Sequence, residues 1–202
     1  MNRTRWMTAL MAPAAIVSLS GCGINSIPTA EEEVKARWAD VQNQYQRRAD
    51  LIPNLVETVK GYAAQESKVL TDVTEARAKA SSIQVNADDL GDAAKMKQFS
   101  EAQGQLGASL GRLLATVEAY PDLKSNQNFL ALQSQLEGTE NRITIARQDY
   151  NTAVQAYNTR IRTFPDIIGA KVIYGAEPKA PFEATTANAE VAPTVSFGNS
   201  SK

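Results

Sequence analysis

An apolar period of seven residues runs through three long segments of this chain, and few folds can absorb such a pattern. In the first segment Val34, Val41, Leu55, Tyr62, Val69, Ala76 and Ile83 share one heptad phase, and Trp38, Tyr45, Ile52, Val59, Val73 and Ala80 the other. Only Arg48 and Glu66 interrupt that stripe. In the second, Phe99, Leu106, Leu113 and Tyr120 alternate with Met96, Leu110 and Val117, with Gln103 as the exception. In the third, Phe129, Leu136, Ile143, Tyr150, Tyr157 and Phe164 repeat unbroken. An apolar residue about every 3.5 positions keeps one stripe of a helix against its neighbour, so the pattern predicts long helices packed knobs-into-holes. The alternation of a half-buried strand shows only weakly, near Val191 to Phe197. The fold class is all-α: an elongated bundle of three to four long helices.

Punctuation sets the limits. Asn86-Ala87-Asp88-Asp89 offers turn and capping chemistry between the first two helices. Pro121 stops the second helix, Ser125 or Asn126 can cap the third, and Pro165 closes it. Pro53 removes a backbone hydrogen bond at a cost of about 3 kcal/mol. The heptad phase nevertheless passes it unshifted from Ile52 to Leu55, which predicts a continuous, kinked first helix. A second helix of about 28 residues covers only about half of a first helix of about 50. The stripe Val34, Trp38, Val41 and Tyr45 would then stand uncovered as a candidate partner surface, unless it folds back as a fourth helix or meets the tail. We place a tether at 22–30, the bundle at 31–174, and an extended or disordered tail at 175–202, which is rich in Ala, Thr, Pro and Asn.

The N-terminus has the plan of an export signal. Arg3 and Arg5 precede the apolar run Met7 to Val17, and Ser20 and Gly21 precede the only cysteine, Cys22. The run falls short of the ~20 residues that span hydrocarbon. Leu19-Ser20-Gly21-Cys22 resembles the lipobox of bacterial lipoproteins. That resemblance implies cleavage after Gly21 and lipid on Cys22, so the membrane is the first partner. Several acyl chains anchor a protein stably where one holds it only marginally. Gly23 stands where an Asp, by resemblance to Gram-negative lipoproteins, favours inner-membrane retention. The expected location is therefore the periplasmic side of the outer membrane in a Gram-negative cell.

Composition excludes much chemistry. The chain has no histidine, and with Cys22 committed to lipid it has no free thiol. Loss of residues 1–21 leaves 19 basic against 22 acidic side chains, a surface with no reason to seek nucleic acid. Glu31, Glu32 and Glu33 point around a helix, whereas Glu137 and Glu140 share a face. The Glu-x-x-His element of bundle di-iron sites is absent. Gly104, Gly107 and Gly111 lie within a heptad helix, where they suit close helix approach rather than phosphate binding. No enzyme, cofactor or metal site is expected.

Three blocks carry a family resemblance. Arg47 to Ala63 (RRADLIPNLVETVKGYA) is the first, and Tyr120-Pro121-Asp122-Leu123-Lys124 with Asn128-Phe129-Leu130 the second. The third comprises Thr139-Glu140-Asn141-Arg142-Ile143, Ala146-Arg147, Tyr150-Asn151, Tyr157-Asn158 and Phe164-Pro165. In type and order they resemble the LemA family. The resemblance implies an antiparallel bundle held at the envelope by its N-terminus, with no established enzymatic activity. Many relatives carry a transmembrane helix where this chain has Leu19-Ser20-Gly21-Cys22.

Arg48 and Glu66 lie about 27 Å apart along a continuous helix, too far to pair, and Glu140 and Arg147 are plausible partners. These four form a candidate polar core layer, which reads as a register-setting device or as a ligand site. The Tyr-Asn pairs at 150–151 and 157–158 stack on one face, as core or as a ladder for glycans or peptides. The expected function is binding, as an interaction or scaffold protein with an unidentified envelope protein as partner. The alternative is a regulatory adaptor for an envelope protease or stress-response system. Cys22→Ala should abolish metabolic lipid labelling and leave an uncleaved precursor or a released form. Membrane-bound mutant of wild-type size, with neither protein labelled, would remove the lipobox reading.

Overall fold

The computed structural model describes residues 25–183. Among them run six α-helices: α1 Ser26–Lys60, α2 Ser67–Ser82, α3 Ala93–Val117, α4 Pro121–Lys124, α5 Gln127–Arg160 and α6 Asp166–Gly169. A 3-10 turn at Ala87–Gly91 precedes α3, and a π-helical turn at Ala170–Tyr174 follows α6. No strand occurs among the described residues, so the chain is all-helical as the apolar period requires.

The two longest helices, α1 and α5, form the frame. Arg160 Nη1 donates to the Ser26 carbonyl at 3.0 Å at one end, and Asn126 Nδ2 donates to the Tyr62 hydroxyl at 2.8 Å at the other. Their order along the two helices makes the pair antiparallel. α2 turns back along the second half of α1, where Arg77 Nε donates to the Ala49 carbonyl at 2.7 Å. α3 turns again beside α2, with Lys79 reaching Gln105 at 3.0 Å. Asp92 caps α3 by accepting from the backbone N–H groups of Ala94 and Lys95, and Asn126 caps α5 by accepting from that of Phe129. Both satisfy donors that a helix start leaves orphaned.

Several expectations need correction. Pro53 does lie inside α1, but the helix ends at Lys60 rather than running on to Ile83. Residues 61–66 form a turn in which Ala63 is buried. Beyond it Val73 and Ala80 keep the expected phase, but Leu70 is buried in the core while Val69 packs against it only partly buried. Counting by sevens cannot register such a turn, because the spacing of apolar residues nearly survives it. α1 also begins at Ser26, inside the segment read as tether, and buries Ile27. α5 stops at Arg160, which leaves Phe164 outside the stripe and 80% exposed. A residue before proline is disfavoured in the helical region, which agrees with an end in this segment. Gly107 and Gly111 face open space instead of a neighbouring helix.

The interior divides into two apolar clusters. One gathers Trp38, Tyr45, Phe99, Ile143, Tyr150, Tyr157 and Phe182, among others. The second gathers Ile52, Leu55, Leu106, Leu113, Phe129 and Leu136 with their neighbours. Leu136→Ala and Ile143→Ala should each cost about 2–5 kcal/mol, and Trp38→Ala about 3–5 kcal/mol, as large-to-small changes in packed cores do. The exposed change Gln148→Ala should cost less than about 0.5 kcal/mol. Chemical denaturation of the four variants measures the contrast, and equal effects would contradict the assignment of these faces.

Candidate functional site

The stripe expected to meet a partner is core. Val34, Trp38, Val41 and Tyr45 are all buried, Trp38 being only 2% exposed. The covering comes from three directions. α5 brings Tyr150, whose ring lies 5.4 Å from that of Trp38, and α3 brings Phe99 at 5.5 Å. The third cover is Phe182 from the tail, stacked on Trp38 at 5.8 Å. Trp38 Nε1 meanwhile donates to the Val85 carbonyl at 2.9 Å, so its polar edge is also satisfied. Of the fates open to this stripe, the meeting with the tail and with α5 is the one adopted.

The four residues of the candidate polar layer separate into different sites. Arg48, only 3% exposed, donates from Nη1 to both Glu140 oxygens at 3.0 and 3.3 Å, and from Nη2 to the Gln103 side chain and carbonyl. Its guanidinium also lies 5.0 Å from the centre of the Tyr45 ring. Glu140 remains partly exposed, so the pair joins a buried cation to a carboxylate at the surface. The layer sits between the two apolar clusters. Glu66 is elsewhere, at the start of α2, where it accepts from the Tyr120 hydroxyl at 2.7 Å. That bond, above all, raises the Tyr120 pKa, because ionised Tyr120 could not donate. Arg147 lies 4.7 Å over the Phe182 ring and donates to the Glu183 carbonyl. Glu137 accepts from Gln133 at 3.0 Å, while Glu140 faces Arg48, so these two carboxylates serve different partners.

The most specific arrangement uses the asparagines of the two Tyr-Asn pairs. Asn151 and Asn158 lie one heptad apart on α5 and grip residues 179–182 of the tail by its backbone. Asn158 Nδ2 donates to the Lys179 carbonyl, and its Oδ1 accepts from the Lys179 N–H, both at 2.8 Å. Asn151 does the same at Phe182, at 3.0 and 2.8 Å. Each carboxamide thus acts as one residue of a strand partner. Seven helical residues rise about 10.5 Å, and three extended residues span about 10 Å. The two spacings match, which makes this segment an extended strap running antiparallel to α5. Between the grips, the Ala180 N–H donates to the Leu90 carbonyl at 2.7 Å, and its carbonyl accepts from the Tyr150 hydroxyl at 2.9 Å. Pro178 and Pro181 have no N–H to satisfy, and both face solvent. Lys179 ties the strap to α1 through Glu31 at 3.1 Å. Part of the tail is therefore packed on the bundle. Residues 184–202 lie outside the described region, as do Cys22 and Gly23. The Tyr-Asn repeat was the available signal: the tyrosines face the core, and each following asparagine faces the strap.

The fold and this site define an all-α bundle that holds a segment of its own chain along one long helix. Residues 37–197 match the LemA family, and the chain belongs to it. It is 30% identical over 157 residues to "Magnetosome protein MamQ 2" of Paramagnetospirillum magneticum, covering 70% of this chain and 58% of that protein. Magnetosome protein MamQ of Magnetospirillum gryphiswaldense is 28% identical over the same shares. Protein LemA of Metamycoplasma hominis is 24% identical over 140 residues, 69% of this chain and 60% of that protein. The chain thus spans about 58–60% of the length of the curated relatives it matches.

Burial pushes the Tyr150 phenol well above its ordinary pKa of 10.0, and burial raises Tyr45 and Tyr157 in the same direction. For an acid whose folded pKa is raised, the unfolded chain loses its proton first. Stability is then full below about pH 10 and falls as pH rises beyond it. Tyr150→Phe should cost about 1–3 kcal/mol at neutral pH, since the Ala180 carbonyl loses its donor. It should also flatten the alkaline decline. Urea-unfolding midpoints at about pH 8 and about pH 10.5 test this, and an unchanged decline would assign the alkaline loss to other groups.

Proposed function

We propose that this protein is a lipid-anchored component of the cell envelope that acts by binding rather than catalysis. Its partner is an envelope protein that offers an extended segment with an aromatic side chain. One observation carries the reading. Asn151 and Asn158 each pair with both backbone groups of an extended residue, so α5 can hold a peptide largely without regard to its side chains. Specificity then falls to the pocket of Trp38, Phe99 and Tyr150, which Phe182 fills in the isolated chain. Aromatic anchors in desolvated pockets commonly dominate binding energy. The bundle, read as four long helices in antiparallel succession, is the rigid support for that surface. The anchor at Cys22 rests on Leu19-Ser20-Gly21-Cys22 and places the bundle at a membrane.

A peptide of sequence AEPKAPFE, copied from residues 176–183, should bind the full chain carrying Phe182→Ala. It should bind the wild type more weakly, because the native strap competes. Adding Asn151→Ala to the Phe182→Ala chain removes two hydrogen bonds of about 0.5–1.5 kcal/mol each, which weakens peptide binding by about 5- to 150-fold. Isothermal titration measures each step. Peptide affinity indifferent to Asn151→Ala and Asn158→Ala would show that α5 is not the docking surface.

A further inference from the structure

Five of the eight large exposed hydrophobic side chains among the described residues fall within residues 164–174. They are Phe164, Ile168, Val172, Ile173 and Tyr174, with Val172 78% exposed. Ile168 and Val172 lie four residues apart on the α6 and π-helical stretch, so they share one side of it, and exposed Phe164 immediately precedes it. The inner side is settled: Gly169 and Ala170 are buried, and Gly169 lies against Ile27 at the start of α1. The outer side has no cover among the described residues. Apolar groups gathered in this way, unlike single exposed ones, mark a surface that meets something.

Position and charge say what it meets. The segment closes the end of the bundle where α1 begins, since Ser26 Oγ donates to Asp166 at 2.8 Å. Cys22 lies four residues before Ser26, within about 14 Å even for a fully extended chain. Exposed Arg162 and Lys171 flank the apolar side chains. The acid of the segment, Asp166, is turned inward to Ser26 and to Arg160 at 3.7 Å. Apolar side chains flanked by two cations, with the carboxylate withdrawn, suit the boundary between phospholipid headgroups and acyl chains.

We propose that the outer face of residues 164–174 docks into the phospholipid surface and stands the bundle on its anchored end. This rests on the lipid-anchored reading. The anchor holds the chain at the membrane, and the apolar end sets its orientation, so that the α5 strap starts near that end at Lys179 and leads away from it toward Phe182.

The test uses the mature protein purified from membranes and reconstituted in vesicles of phosphatidylethanolamine with a minority of phosphatidylglycerol. Ile168→Cys or Val172→Cys, labelled with an environment-sensitive fluorophore, should show blue-shifted emission. Lipids spin-labelled near the headgroup boundary should quench it several-fold more than the same label at Asn128→Cys, near the opposite end. Both positions are exposed, so the substitutions leave the core intact. Intact mass reports whether Cys22 carries lipid. Lipidated protein with water-like, unquenched labels at both positions overturns the proposal alone. A blue shift without quenching by lipid overturns it too, because the face would then meet protein. Unlipidated Cys22 overturns the anchor reading, and the proposal with it.

Discussion

The structure depends on a mismatch of length. At 35 and 34 residues, α1 and α5 each reach about 50 Å, whereas α2 and α3 have 16 and 25 residues. A hairpin of the shorter pair cannot fully cover the longer one, and the part left incompletely covered includes Trp38, the largest fully buried side chain among the described residues, which α3 meets through Phe99. A groove is left over the first half of α1, and its walls must be closed by something other than helix. The chain closes it with Val85 and its neighbours on one side and the strap on the other. Phe182 enters the aromatic cluster as the last piece of a core that the helices alone leave open.

Arg48 divides what remains. Above it the core is rich in aromatic rings and relies in part on non-helical chain; below it the core is mostly aliphatic and mostly helical, apart from Phe129 and the turn residue Ala63. A buried guanidinium tolerates few arrangements, because an uncompensated charge in the interior is very costly. The Arg48, Glu140 and Gln103 contacts therefore tie α1, α5 and α3 at one height. Apolar ridges could slide by a heptad and still interlock. The polar contact removes that freedom, which is how a single polar residue sets register in coiled helices.

Much of this was legible in advance. The heptad phases name the buried faces of α1, α3 and α5, from Val34 and Trp38 to Tyr150 and Tyr157. Periodicity reports which face is buried but not what lies against it. For that reason Val34, Trp38, Val41 and Tyr45 read equally well as a partner surface and as core. It also misses turns that nearly preserve the count, as at residues 61–66, and it extends a helix past its end, as at Phe164. Composition is blind in a different way. A tail of Ala, Pro, Lys and Glu lacks the apolar content to fold alone, yet residues 179–182 are held by groups on another element. Nothing local to the tail announces that. The asparagines on α5 do, once their distance is compared with the rise of an extended chain.

The α5–strap contact behaves like a vernier, two scales ruled in different units that coincide at intervals. One scale is ruled in helical heptads and the other in extended triplets. Length changes at this contact are therefore quantised. One residue inserted between Lys179 and Phe182 would carry one grip out of register, whereas three added to the strap with seven added to α5 would restore coincidence. The intervening segment 161–178 is under no such rule. Through this contact, evolution can lengthen or shorten the molecule only in paired steps.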